Sequence, residues 1–68
     1  MRVDKFLWAI RVFKTRSMAS QHCREGKVSV ADKAVKPARE MKVGEVVEVR
    51  KGAVRFRYEV LSFPRSRV

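Results

Sequence analysis

Thr15-Arg16-Ser17 is the triplet in this sequence best suited to gripping an anion. Thr15 has the side chain of a helix N-cap. Arg16 and Ser17 then fall in the first helical turn, where unpaired backbone N–H groups and the helix dipole favour negative charge. A guanidinium placed there can hold a phosphate through two parallel hydrogen bonds. Arg2, Lys5, Lys14 and Lys27 can surround the same point. At about 100° per residue, Arg16, Ser17, Ser20, Gln21 and Arg24 share one side of this second helix, with two positive charges and no acid. Met18, Ala19, His22 and Cys23 take the other, apolar side.

The remaining reactive residues point to no chemistry. His22 and Cys23 adjoin on the apolar side, where a buried ring and an inert thiol are expected rather than a nucleophile or ligand pair. One cysteine and one histidine exclude an internal disulfide and any zinc site built from this chain alone. No glycine-rich phosphate loop, catalytic triad or separated acid and base carboxylates stand out, so neither an enzyme nor a cofactor is expected. Phe56 and Tyr58 alternate with Arg55 and Arg57 in the manner of a single-strand stacking platform, but ordinary strand alternation explains the pattern and assigns both rings to the core. Trp8 is expected to cover the core boundary rather than stack on a base, and Phe6 and Phe13 to lie in the core.

The elements that must position these residues follow from the spacing of apolar side chains. Phe6, Leu7, Ile10 and Phe13 recur at three- and four-residue steps, which predicts a first helix with one buried face. Asp4 suits its positive end, either as N-cap or in the first turn; as the cap, it would let Val3 staple onto Trp8. Lys14 to Ser17 break the pattern and start the second helix, which Gly26 closes in the left-handed conformation. Val28, Val30 and Val35 then predict a small hairpin turning at Ala31 to Lys33. Pro37 and Gly44 bracket a connection, and Val47 and Val49 lead through Lys51-Gly52 into Val54, Phe56, Tyr58 and Val60 as a second hairpin.

Sixty-eight residues leave room for one core, in which about 60% of the unfolded chain's surface is buried. An apolar share of 46% is that of a folded unit, not of a disordered basic tail. Seventeen Lys and Arg against seven Asp and Glu give a net charge of +10, distributed over both halves of the chain, so the folded surface itself calls for a polyanion. No apolar run approaches the roughly 20 residues of a membrane span, and a cytoplasmic location is the expectation.

Arg2-Val3-Asp4-Lys5-Phe6-Leu7, Thr15-Arg16-Ser17-Met18-Ala19, Gly26-Lys27-Val28-Ser29-Val30 and Val43-Gly44-Glu45 resemble the RNA-binding domain of ribosomal small-subunit protein four. The longer string from Leu7 to Ser17, with Lys36-Pro37 downstream, is similar to the heat-shock-protein-fifteen branch of that family. The resemblance implies an α+β fold with an αL RNA-binding motif, two N-terminal helices packed on a small, mostly antiparallel sheet. Carried over by position, RNA contacts fall on Arg2, Lys5, Lys14, Arg16, Ser17, Gln21, Arg24 and Lys27. Three departures stand out. Ala31-Asp32 replaces the usual Asn-Gly and disfavours a two-residue primed turn, Glu45 replaces the common Asp, and the long basic C-terminal extension of some relatives is absent.

The combined expectation is a single domain over 1–62, with the motif core at 2–50 and a frayed basic tail at 63–68. It is expected to be a monomeric, non-catalytic factor docking on structured ribosomal RNA of the large ribosomal subunit during rescue or quality control of stalled ribosomes, with peptidyl-tRNA as a further contact. Neither a membrane nor a metal is expected as a partner. Two alternatives stay open: an RNA-targeting module beside a separate RNA-modifying enzyme, and a DNA-binding helix-turn-helix protein.

Overall fold

Helix α1 spans Val3–Ala9 and helix α2 spans Arg16–Arg24 in the computed structural model, which describes residues 1–63. Thr15 caps α2 as expected, its Oγ1 accepting a hydrogen bond from the Met18 N–H at 3.1 Å. Gly26 closes it at φ +75, with Gly26 N–H bonded to the Cys23 carbonyl and Lys27 N–H to the His22 carbonyl. This is the paired hydrogen-bond pattern of a Schellman stop.

The first helix differs from expectation at both ends. It stops at Ala9 because Arg11 adopts φ +66, and the bonds Arg11 N–H to Trp8 O and Val12 N–H to Leu7 O repeat the Schellman pattern without a glycine. Phe13 is therefore a core residue, 2% exposed, but it enters the core from the turn between the helices and not from α1. At the N-terminus Arg2 occupies the cap position and makes no side-chain cap bond; Asp4 lies in the first turn, so the staple that required Asp4 as cap does not apply. The orphan N–H groups of Val3 and Asp4 are satisfied by the carbonyls of Arg39 and Pro37.

The sheet is antiparallel throughout, in the order β2-β1-β3-β4, with β1 at Val28–Val30, β2 at Lys33–Ala34, β3 at Val46–Lys51 and β4 at Val54–Glu59. Val30 pairs with Lys33, so the loop between β1 and β2 holds two residues, and Ala31 and Asp32 both take positive φ, 53 and 64. That is the primed turn that Ala31-Asp32 was expected to disfavour. The flanking strands impose it, because only a primed turn matches their right-handed twist.

The two helices cover one face of the sheet, and α2 contacts β1. Val3, Leu7, Val28, Val47, Val49 and Val60 are fully buried, joined by Phe6, Phe13, Ala19, Cys23, Val30 and Met41. Two further expectations are corrected here. Strand β4 is exposed along most of its length: Phe56 is 39% exposed, against the expectation from alternation, whereas Tyr58 is half-buried and packs against the core. Phe63, expected at the frayed end, packs edge-on against Phe6 with ring centroids 6.3 Å apart. The remainder of the expected tail, 64–68, lies outside the described residues. Trp8 sits half-buried. No helix among the described residues is long and apolar enough to cross a membrane.

Candidate nucleic-acid interface

Arg2 precedes α1, and Arg16 begins α2, yet the fold brings both guanidinium groups to one carboxylate. Asp4 is buried, and its Oδ2 lies 3.2 Å from Arg2 Nη2 and 3.6 Å from Arg16 Nε, while its Oδ1 accepts the Lys5 N–H at 2.7 Å. A buried carboxylate without partners would be costly, so the two arginines and the N–H stabilise Asp4 as Asp4 orients them. Both arginines remain largely solvent-facing, with side chains 44% and 43% exposed. Arg16 meets Asp4 through its Nε edge, and its terminal nitrogens have no partner among the described residues.

These groups line an open groove made by Arg2, Asp4, Arg16, Ser17, Ser20, Gln21 and Arg24. Two guanidinium groups therefore meet a single carboxylate at the start of the nine-residue α2, and Arg24 lines the same groove at the end of that helix, a charge pattern that accepts a polyanionic backbone. Of the eight residues expected to contact RNA, the groove unites Arg2, Arg16, Ser17, Gln21 and Arg24. It does not include the other three. Lys5 is half-buried on α1, and Lys14 is exposed in the turn between the helices. Lys27 pairs with Glu25 at 3.0 Å and lines a different hollow, with Ser29, Arg50 and Arg55. Gln21 donates to the same Glu25 at 2.9 Å, so one exposed acid separates the groove from Lys27.

The sequence reading missed two members of the site. Asp4 was seen only as a helix-start residue; nothing in its spacing from Arg16 signals that they meet. Ser20 was placed on the polar side of α2, but it is 8% exposed, while Met18, assigned to the apolar side, is 46% exposed. The buried stripe is Ala19, Ser20 and Cys23, a regular i, i+1, i+4 set that the apolar character of Met18 obscured.

Burial pushes the Cys23 thiol up to about 11, with Asp4 adding to the effect and Arg24 opposing it, so the nucleophilic thiolate is suppressed. The His22 ring rests against Phe13 with centroids 4.5 Å apart, and its Nδ1 lies 3.3 Å from the Met18 carbonyl.

The connection between β2 and β3 sets the position of Arg2. The Arg2 backbone forms an isolated antiparallel β-bridge with Glu40, Met41 N–H bonds to the Met1 carbonyl, and the N-terminal amine pairs with Glu40 at 3.0 Å. The loop is braced by a two-pronged contact of Arg39 with Glu45, both distances 2.7 Å, and by Lys42 N–H donating to Glu45 Oε1. Together these hold the Glu45 carboxyl down at about 2.

The model of the S4 domain matches residues 1–47, more than half of the chain. The chain belongs to the S4-domain family. Relatives of this S4 domain include a heat shock protein 15 homolog of Haemophilus influenzae, 38% identical over 52 residues, which cover 76% of this chain and 40% of that protein. An RQC P-site tRNA stabilizing factor of Helicobacter pylori is 37% identical over 49 residues, covering 72% of this chain and 58% of that protein. The chain thus spans only about two-fifths to three-fifths of the length of these relatives. Among solved structures, trimeric heat shock protein 15 of Vibrio cholerae superposes with a TM-score of 0.81 at 34% identity, over 96% of this chain and 68% of that one. The expected α+β architecture, two helices on a small antiparallel sheet, is therefore that of the family.

Proposed function

We propose that this S4 domain is a non-catalytic RNA-binding module that docks on structured ribosomal RNA through the groove at the start of α2. The observation that carries the reading is the convergence of Arg2 and Arg16 on the buried Asp4, with Arg24, Ser17 and Gln21 along the same groove. Guanidinium groups held in place by a carboxylate lose little freedom on binding, and a rigid set of charges reads the shape of a folded RNA backbone without a base code. Arg16 and Arg24 grip phosphates, Ser17 and Gln21 add neutral hydrogen bonds, and Asp4 keeps the arginines aimed. The names of the relatives, an RQC P-site tRNA stabilizing factor among them, support a finer reading: a cytoplasmic factor of the large ribosomal subunit, acting in rescue or quality control of stalled ribosomes beside peptidyl-tRNA.

The test has two parts. Arg16→Ala should weaken binding to a structured ribosomal RNA fragment about tenfold, the loss of one charged hydrogen-bonding group, whereas Lys33→Ala, exposed in the small hairpin and outside the groove, should not. Equal losses from the two variants at one salt concentration would mean diffuse attraction and no defined site. On a sucrose gradient of cell lysate, the protein should sediment with large subunits, and more of it when stalling is provoked. Its staying at the top of the gradient in every condition would defeat the ribosomal assignment.

A further inference from the structure

Strand β4 carries apolar side chains on the side of the sheet that the helices cover, yet the cover leaves Val54 and Phe56 open. The register sets Phe56 opposite Val49 and Tyr58 opposite Val47, so all four share one face. Val47 and Val49 are fully buried, whereas Phe56 is 39% and Val54 53% exposed. The Phe56 and Tyr58 rings stand nearly parallel, 19° apart in plane and 6.5 Å between centroids, and Tyr58 is itself packed on the core. Tyr58 thereby supports an exposed phenylalanine in a defined orientation at a sheet edge.

The strip is fastened to the basic corner. Lys51, opposite Val54 in the hairpin, donates its Nζ proton to the Val12 carbonyl at 2.6 Å and lies 4.7 Å from the centre of the Phe13 ring. Val12 and Phe13 belong to the turn between the helices, which also carries Arg11 and Lys14 and leads directly into Thr15 and Arg16. The exposed ring thus stands on a hairpin that is tied to the loop entering the proposed phosphate groove, while Arg55 and Arg57 alternate with the rings and face the other side of the sheet, where Arg57 pairs with Glu48 at 3.1 Å.

We propose that this edge of the sheet is a second contact of the same RNA, in which unpaired bases stack on Phe56 while their backbone is drawn to Arg11 and Lys14 of the adjoining turn. The proposal rests on the RNA reading of the corner and adds to it the class of nucleotide bound. Flat apolar rings beside positive charge match the two parts of a single-stranded nucleotide, its base and its phosphate, and stacking tolerates any base because each has a π-face. A wholly apolar partner would leave Arg11 and Lys14 of the adjoining turn without counter-charge, and a paired duplex would have no open base to offer. The groove at α2 then holds the folded part of the RNA and β4 its unpaired flank.

The experiment uses two RNAs, a blunt hairpin and the same hairpin with unpaired extensions, measured by fluorescence anisotropy at one salt concentration. The parent protein should bind the extended RNA more tightly. Phe56→Ala and Phe56→Leu should both abolish that preference, a loss of about fivefold or more, while leaving the blunt hairpin bound as before. A 2-aminopurine in the extension should be quenched by the parent and not by either variant. Retention of the preference by Phe56→Ala would overturn the proposal. So would full retention by Phe56→Leu, which keeps apolar cover without a ring, or a change in sedimentation of the free variants with RNA affinity untouched, which would make the strip a contact between copies. Arg16→Ala separates the two readings: it should weaken both RNAs alike. If it weakens neither while Phe56→Ala still acts on the extended RNA, it is the corner that fails and not the stacking surface.

Discussion

Asp4 places an acid at the floor of a basic groove, and its effect on binding can be argued in two opposite directions. If affinity followed charge count alone, Asp4→Asn would raise the net charge by one and tighten RNA binding. Because Asp4 Oδ2 faces both Arg2 and Arg16, the geometry demands the reverse. The amide of Asn can still accept the Lys5 N–H but holds guanidinium groups only weakly, so the arginines regain freedom that binding must then remove. Asp4→Asn should therefore weaken RNA binding several-fold with the fold retained, as read by anisotropy beside a urea titration; tighter binding would show that the arginines need no positioning. Cys23 offers a separate check at this scale. With its thiol at about 11, only about one molecule in a thousand carries a thiolate at pH 8, so alkylation should be slow in the native protein and fast once it is denatured.

At the scale of elements, the helix stops distinguish what the sequence announces from what it conceals. Gly26 advertises the end of α2 because glycine is the residue that enters the left-handed region without strain. Arg11 ends α1 with the same hydrogen bonds and no such signal, which is why periodicity carried the expected helix on to Phe13. A left-handed L-residue costs about 1–2 kcal/mol, so Arg11→Gly should stabilise the domain, by about 1 kcal/mol once the greater freedom of the unfolded glycine chain is offset. A rise in the urea midpoint with unchanged slope would show it; a fall would mean that the Arg11 side chain stabilises more than its backbone costs. The Thr15 cap and both hairpins were legible because each depends on neighbours in sequence, while the packing of the helices on the sheet was implied by the family resemblance. Three features were not: the inward turn of Ser20, the convergence of Arg2 and Arg16 on Asp4, and the exposure of Phe56. All depend on which residues distant in sequence meet, or fail to meet, and alternation in β4 cannot reveal that the helices stop short of that strand.

Across the whole molecule, the groove depends on an ion pair, Arg39 with Glu45, whose side chains lie outside it. Glu45 grips Arg39 with both oxygens and takes the Lys42 N–H; the Arg39 and Pro37 carbonyls of the same loop receive the first N–H groups of α1, next to Arg2. The Glu45 carboxyl is held at about 2, below its ordinary value of 4.5, first by the Arg39 hydrogen bonds and then by the Lys42 N–H. Since the folded state binds this proton less readily than the unfolded chain, the brace contributes its full stability above about pH 4.5 and loses it progressively as the pH falls towards 2. Glu45→Gln keeps the size of the side chain and removes the charge. The variant should be less stable than the parent at neutral pH, and the difference should shrink through this window until the two unfold together near pH 2. Urea midpoints of both proteins at a series of pH values measure that difference directly, and the paired comparison cancels the protonation of the other six acids. A difference independent of pH across the window would show that Glu45 acts through packing and not through its charge. The brace should also reach the groove: at neutral pH Glu45→Gln should weaken RNA binding by less than Arg16→Ala but more than Lys33→Ala, because it loosens the loop that fixes Arg2 without substituting any groove residue.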